Sequence, residues 1–212
     1  MKEFDAYIFD YDGTLFDSLD AVVNLYEVSF ASIGIKISKE EGRRYAHLHP
    51  VQVLEERKIG KEQIDIFSKA MIDALDSAES IKRNVPFKET LQLFASLNRL
   101  HKPFAIVSGN TKKHIDLVLD YWKIQNRPNV IIGSDLYTHP KPSPEPLQIA
   151  LNQMGLNPSL SICYVGDSWV DIEAGKAAGL TTIFIDRVGS DCRDLTPDFR
   201  IFSLFDLLEN KK

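Results

Sequence analysis

The chain has 212 residues, 44% of them hydrophobic, and a formal net charge of −5. That length supports one core, or a core with a small appended domain. The mixed signs of charge exclude a basic nucleic-acid footprint and an acidic tail, and no apolar stretch approaches the roughly 18 residues of a membrane span.

In chain order, the first predicted element is a buried strand over Ala6–Phe9 that runs into Asp10, Asp12 and the turn formers Gly13 and Thr14. Residues i and i+2 of a strand share a face, so both carboxylates are expected at the mouth of this strand. Two close carboxylates repel unless a cation or a shared proton compensates. Residues 17–82 show no strand pattern. Leu19, Val22, Val23, Tyr26, Phe30 and Ile33 form a helical stripe that ends at Gly34. Ser38 and Glu41 have capping-box spacing for a second helix. A third helix is expected from Val51 to Arg57, after the break at His49-Pro50, and Ile64, Phe67, Met71 and Leu75 mark a fourth.

Beyond residue 84, short apolar runs alternate with helical periods. Strands are predicted over residues 104–107, 130–132, 162–165 and 181–185, and helices are marked by Leu91, Phe94 and Leu97, by Ile115, Val118 and Trp122, and by Pro146 to Met154. Near-continuous β-branched and aromatic runs suit strands covered on both faces, and alternation with helices implies a parallel, doubly wound α/β sheet. The expected organisation is a core of residues 1–16 and 83–212, interrupted by a four-helix insert at 17–82. The opening residues show no apolar signal segment. Cys163 and Cys192 make no disulfide framework, so a cytoplasmic, reduced protein is expected.

The stretch "FDYDGTLFDS" at residues 9–18 closely resembles the first motif of the haloacid dehalogenase superfamily, DxDGT(L/V). Ser108-Gly109-Asn110 ends the next core strand as that family's second motif does. Lys141 lies in "HPKPSPEP", which resembles the third, and "VGDSWVDIEAGKAAGL" at 165–180 resembles the fourth. The resemblance spans the whole chain and implies a Rossmann-like core with a small α-helical cap, similar to the phosphoglycolate phosphatase-like and β-phosphoglucomutase-like members.

The resemblance makes Asp10 a nucleophile that forms an aspartyl-phosphate and Asp12 a general acid, then base. Relatives that cleave carbon–halogen or carbon–phosphorus bonds carry Tyr or Ala at the second acid, so Asp12 points to phosphate esters. Ser108 offers a hydroxyl to the phosphoryl oxygens, with the next donor open between Gly109 and Asn110. Lys141, stiffened between prolines, would neutralise charge that develops on the transferring group. Asp167 would complete a cation site with the Asp10 carboxylate and the Asp12 backbone carbonyl. Few ligands, all of them oxygen, suit Mg²⁺, with Asp171 in support behind them.

In the insert, Arg43, Arg44, His47 and His49 form a basic cluster that could meet a second anionic group on a substrate, or could be a solvated face. The expectation is a Mg²⁺-dependent phosphatase acting on a small phosphorylated metabolite such as phosphoglycolate, as a monomer or homodimer, with no nucleic-acid or membrane partner. The alternatives are a pyrophosphatase or nucleotide phosphatase, and a phosphosugar mutase. The mutase is disfavoured because Val22 stands where such enzymes carry a histidine.

Overall fold

The computed structural model describes residues 3–46, 48, 50–156, 160–187 and 196–208. The chain divides into two compact units, Met1–Phe16 with Pro86–Lys212, and Asp17–Val85. Strand β1 (Ala6–Phe9) opens the first unit, and the division falls within two short paired strands that the apolar pattern did not predict, β2 (Phe16–Asp17) and β3 (Val85–Pro86).

The first unit is a six-stranded sheet ordered β5-β4-β1-β6-β7-β8. Its strands are β1, β4 (Phe104–Val107), β5 (Val130–Ile132), β6 (Ile162–Gly166), β7 (Thr181–Ile185) and β8 (Phe199–Ile201). Every pair is parallel, with Phe9 opposite both Ile106 and Val165. The edge strand β8 carries only one buried residue, Ile201, which is why no apolar run announced it. From β1 the chain builds outward to β4 and β5, then returns to β6, β7 and β8 on the other side. β1 is therefore the switch point of the sheet, and the crevice at its carboxyl end is where ligands bind in such sheets.

One face of the sheet is filled by Ile8, Ala105, Val107, Ile132 and Tyr164, packed with Leu147 and Ala150 of the helix Glu145–Met154. That helix stops at Gly155, whose φ of +62° is the left-handed conformation favoured past a helix end. In the helix Lys88–Arg99, the buried stripe is Leu93, Phe94 and Leu97; Leu91, expected on that stripe, is exposed. Buried Thr90, Leu93, Phe94 and Leu97 fall at i, i+3, i+4 and i+7, and Leu91 is turned about 110° from the centre of that set, towards solvent.

Among its described residues the second unit has five helices rather than the four expected: α1 (Leu19–Ser32), α2 (Lys39–Tyr45), α3 (Pro50–Glu56), α4 (Lys61–Leu75) and α5 (Ala78–Arg83). The fifth is six residues long, and an amphipathic stripe hardly shows at that length; its signal is local, with the Ser77 side chain accepting from Ser80 N. The capping box of α2 forms as its spacing predicts, with Glu41 N donating to Ser38 Oγ and Ser38 N to Glu41 Oε2. The core of this unit is aromatic: Tyr26, Phe30, Tyr45 and Phe67 meet with ring centroids 4.9–6.4 Å apart and are joined by Ile37, Val53 and Leu54.

Cys163 is a buried free thiol in β6. Cys192 lies outside the described residues.

Candidate active site

Three adjacent strands end in three polar residues: β1 in Asp10, β4 in Ser108 and β6 in Asp167. Asp10 continues the ladder by one step, its N–H donating to Val165 O at 2.8 Å, so its carboxylate is fixed by the sheet. The residue is 6% exposed. Lys141 Nζ donates to Asp10 Oδ1 at 2.6 Å. Burial pushes the Asp10 carboxyl well above the usual carboxylate range. The Lys141 ammonium opposes that rise, and Asp171, Asp167 and Asp12 add to it.

Asp12 arrives by a turn rather than by strand alternation, because β1 stops at Phe9. Leu15 N and Phe16 N both donate to Tyr11 O, and Gly13 N donates to Phe16 O at 2.8 Å. Tyr11 is buried and stacks on Phe16, with centroids 4.5 Å apart. Gly13 is required here on two counts. Its φ is +68°, and a Cβ would come within 2.1 Å of Asp167 Oδ2. The turn aims Asp12 towards β4, where Asn110 Nδ2 donates to Asp12 Oδ2 at 2.8 Å. Asn110 N in turn donates to Ser108 Oγ. Ser108 is fully buried, whereas Gly109 is exposed with open space where a Cβ would stand. Thr111 caps the helix Lys112–Tyr121 through His114 N.

Lys141 is delivered by a loop that Glu145 organises, since Thr138 N and His139 N both donate to its carboxylate. The ammonium reaches three groups: Asp10, Asp171 Oδ1 at 2.7 Å and the Tyr164 hydroxyl at 3.1 Å. Burial works against its charge, but the Asp10 and Asp171 carboxylates outweigh burial and hold its pKa well above the usual lysine range.

Asp171 is 1% exposed. Its Oδ1 accepts from Lys141 and from the Tyr164 hydroxyl at 2.7 Å, and its Oδ2 accepts from Ser168 N and Oγ. Both oxygens are thus engaged by protein donors, which makes Asp171 a group that orients Lys141. Tyr164 was missed in the sequence. The signal was strand register: Tyr164 sits opposite Ile8, and Asp10 is two residues beyond Ile8, so alternation brings the phenol to the face of Asp10.

Carboxylate oxygens of Asp10, Asp167 and Asp171 lie within 4.8 Å of one another. Burial first, and the Asp171 charge second, push the Asp167 carboxyl up to about 7. Among the described residues Lys141 is the cation that touches Asp10 and Asp171, and the Asp167 and Asp12 charges press further on Asp10; carboxylates this close call for a cation or a shared proton. The residues fit a hard divalent cation: Asp167 and the second oxygen of Asp10 accept no side-chain hydrogen bond among the described residues, and every donor atom is oxygen.

The basic residues of the insert are placed differently. Arg43 is exposed, and Arg44, with a side chain 61% exposed, makes a two-pronged contact with Glu56 at 2.6 and 2.7 Å. His47 and His49 lie outside the described residues.

A family model described as haloacid dehalogenase-like hydrolase matches residues 7–185. The chain is 26% identical over 208 residues to a phosphoglycolate phosphatase of Aquifex aeolicus, covering 95% of this chain and 94% of that one. It is also 26% identical over 223 residues to the pyrophosphatase PpaX of Bacillus velezensis, covering 98% and 96%. Among solved structures, a haloacid dehalogenase-like family hydrolase of Streptococcus pneumoniae matches with a TM-score of 0.80 at 20% identity, covering 98% of each chain; at that identity the likeness speaks for the fold. The family match runs from β1 to the end of β7 and so takes in every strand end that carries a site residue. The chain belongs to the haloacid dehalogenase-like hydrolase family.

Proposed function

We propose that the chain is a Mg²⁺-dependent phosphatase that hydrolyses a small phosphorylated metabolite through an aspartyl-phosphate on Asp10. The observation that carries this reading is the pairing of a buried nucleophile with a separate, oriented acid. Asp10 is held at Oδ1 by Lys141, and Asp12 is held at Oδ2 by Asn110.

One carboxylate oxygen of Asp10 attacks phosphorus as the bond to the leaving oxygen breaks, and Asp12 gives that oxygen its proton. Asp12, now a carboxylate, takes a proton from water as the water oxygen attacks the same phosphorus, and Asp10 leaves as a free carboxylate. Lys141 offsets charge on the transferring group, and the Ser108 hydroxyl and the Gly109 N–H supply donors to the phosphoryl oxygens, the Asn110 N–H being engaged on Ser108 Oγ. A Mg²⁺ ion held by Asp10, Asp167 and the Asp12 carbonyl would supply positive charge against the phosphoryl group.

Phosphoglycolate-like substrates are the first reading, supported by the relative that covers nearly the whole chain. Pyrophosphate is the second, supported by the equally extensive match to PpaX. The test is phosphate release with Mg²⁺ from phosphoglycolate, pyrophosphate, nucleotides and sugar phosphates. Turnover of at least one by the wild type is expected, with none by Asp10→Asn. Release from none of them overturns the reading.

A further inference from the structure

The turn that carries Asp12 has its carbonyl groups pinned from outside the motif. Arg187, two residues past the end of β7, donates from Nε to Gly13 O at 3.0 Å and from Nη2 to Thr14 O at 2.9 Å. Its third arm, Nη1, donates to Glu89 Oε1 at 3.0 Å, and its guanidinium lies 3.5 Å from the ring centroid of Phe87. Glu89 is 8% exposed. The next carbonyl along the turn, Leu15 O, takes Thr90 Oγ1 at 2.7 Å and Phe87 N at 3.0 Å.

Three consecutive carbonyls are therefore fixed, two of them by one side chain. The planar, five-donor fork of arginine can meet two adjacent carbonyls and a carboxylate at once; the ammonium of lysine cannot match that geometry. The fixed segment is one the chemistry uses. It starts at Asp12, and its Gly13 backbone packs so closely on Asp167 that a methyl group has no room. Gly13, lacking a side chain, has low barriers to rotating its peptide, so its conformation needs an external hold.

We propose that Arg187 is a positioning residue for leaving-group protonation: by holding the Gly13 and Thr14 carbonyls it sets where the Asp12 carboxyl stands relative to Asp10. This rests on Asp12 acting as the general acid. An arginine that served only as a staple between β7, the helix Lys88–Arg99 and the turn would, when removed, lower the folded fraction and depress every substrate alike. A positioning residue predicts a split between substrates, because a p-nitrophenolate leaving group needs no proton and an alkoxide does.

The experiment measures kcat on phosphoglycolate and on p-nitrophenyl phosphate, with thermal midpoints, for wild type, Arg187→Ala, Arg187→Lys, Asp12→Ala and Arg200→Ala. Arg200 pairs with Asp186 at 3.1 Å on the same edge of the sheet and serves as a control for loss of a cation. A positioned general acid contributes roughly 10²–10⁴-fold, so a displaced one should lose part of that. Arg187→Ala should lose on the order of 30-fold on phosphoglycolate and about 3-fold on p-nitrophenyl phosphate. Arg187→Lys should fall between wild type and Ala, and Arg200→Ala should keep the wild-type ratio. If Arg187→Ala does not fold, the same split at smaller size in Arg187→Lys carries the test. Equal losses on the two substrates, or no loss, in folded Arg187 variants while Asp12→Ala shows the split overturn the role of Arg187 alone. No split in Asp12→Ala overturns the general-acid assignment, and the role of Arg187 falls with it.

Discussion

In the unit formed by Met1–Phe16 and Pro86–Lys212, the charges that matter lie inside: Asp10, Asp171 and Lys141 have side chains 8%, 1% and 11% exposed and touch one another. In the Asp17–Val85 unit the inside is aromatic and aliphatic, and its ion pairs stand in water, as with Arg44–Glu56, Lys69–Asp73 and Arg83–Glu79. Arg57, partly sheltered, is held between Glu41 and Tyr45. Taking an ion out of water costs several kcal/mol, whereas exposed pairs contribute about 0–1 kcal/mol either way. A buried cluster in which Asp10 and Asp171 share Lys141 with Asp167 beside them gives up stability at that place. The difference between the units places the buried charge in the first and leaves the exposed pairs of the second open to change at little cost in stability.

The largest break of that contrast is Asp10→Asn. An amide of the same shape keeps the packing but is no nucleophile, and the loss should reach several powers of ten, on the order of 6 kcal/mol or more in barrier. Single-turnover phosphate release is the measurement; activity within tenfold of wild type removes the covalent route. Next is Asp12→Ala. It should cost roughly 10²–10⁴-fold on alkyl phosphates and less on p-nitrophenyl phosphate. The ratio of kcat values for the two substrates checks it.

The contrast was only half legible in the sequence. The strands that carry the site are apolar on both faces, and their signal is strong wherever a parallel strand is buried, as at Phe104–Val107 and Ile162–Gly166. The exposed edge strand Phe199–Ile201 has no such signal. Asp10 and Asp167 could be read because each follows a strand directly. The groups that hold them were harder, since each lies in another element: Tyr164 meets Lys141 across 23 positions, and Arg187 meets carbonyls 173 and 174 positions away. Asp12 was expected at the mouth of β1 by alternation, and a turn brings it instead, because β1 stops at Phe9 and the chain folds back on Tyr11 O. The helix Ala78–Arg83 was missed for want of length.

A smaller effect is expected from the insert. Alanine at Arg43, Arg44, His47 or His49 should leave p-nitrophenyl phosphate turnover near wild type, since that substrate carries no second anion for a basic side chain to meet. If one of them meets a second anion on the substrate, its loss should lower kcat/KM for phosphoglycolate by about 10- to 100-fold, from a charged hydrogen bond of roughly 1.5–3 kcal/mol. Stability should hardly move: Arg44→Ala removes an exposed pair, and such pairs contribute about 0.2–1 kcal/mol. Four variants with unchanged kcat/KM would make this face a solvated one.

The smallest effect tests the excess of acid in the core without reference to turnover. Burial and the Asp171 charge push the Asp167 carboxyl of the folded chain up to about 7, against an ordinary value of 3.8, so between those values the folded state binds more protons than the unfolded one. Stability of the metal-free protein should therefore fall as pH rises from about 4 through 7, which is the opposite of what a salt-bridged carboxylate gives. A divalent cation competes with that proton for the same oxygens. Added Mg²⁺ should then raise the thermal midpoint at pH 8 by a few degrees and do much less at pH 5.5, where Asp167 keeps its proton; by linkage, a few degrees corresponds to about 1 kcal/mol for a chain of this size. Asp167→Asn removes the carboxylate while keeping its shape. It should make the metal-free protein more stable than wild type at pH 8, because one repelling charge is gone, and it should abolish the Mg²⁺ shift. A Mg²⁺ shift of equal size at both pH values, or one that survives Asp167→Asn, would mean that the ion acts elsewhere and that the crowded acids at the ends of β1 and β6 are balanced by protons alone.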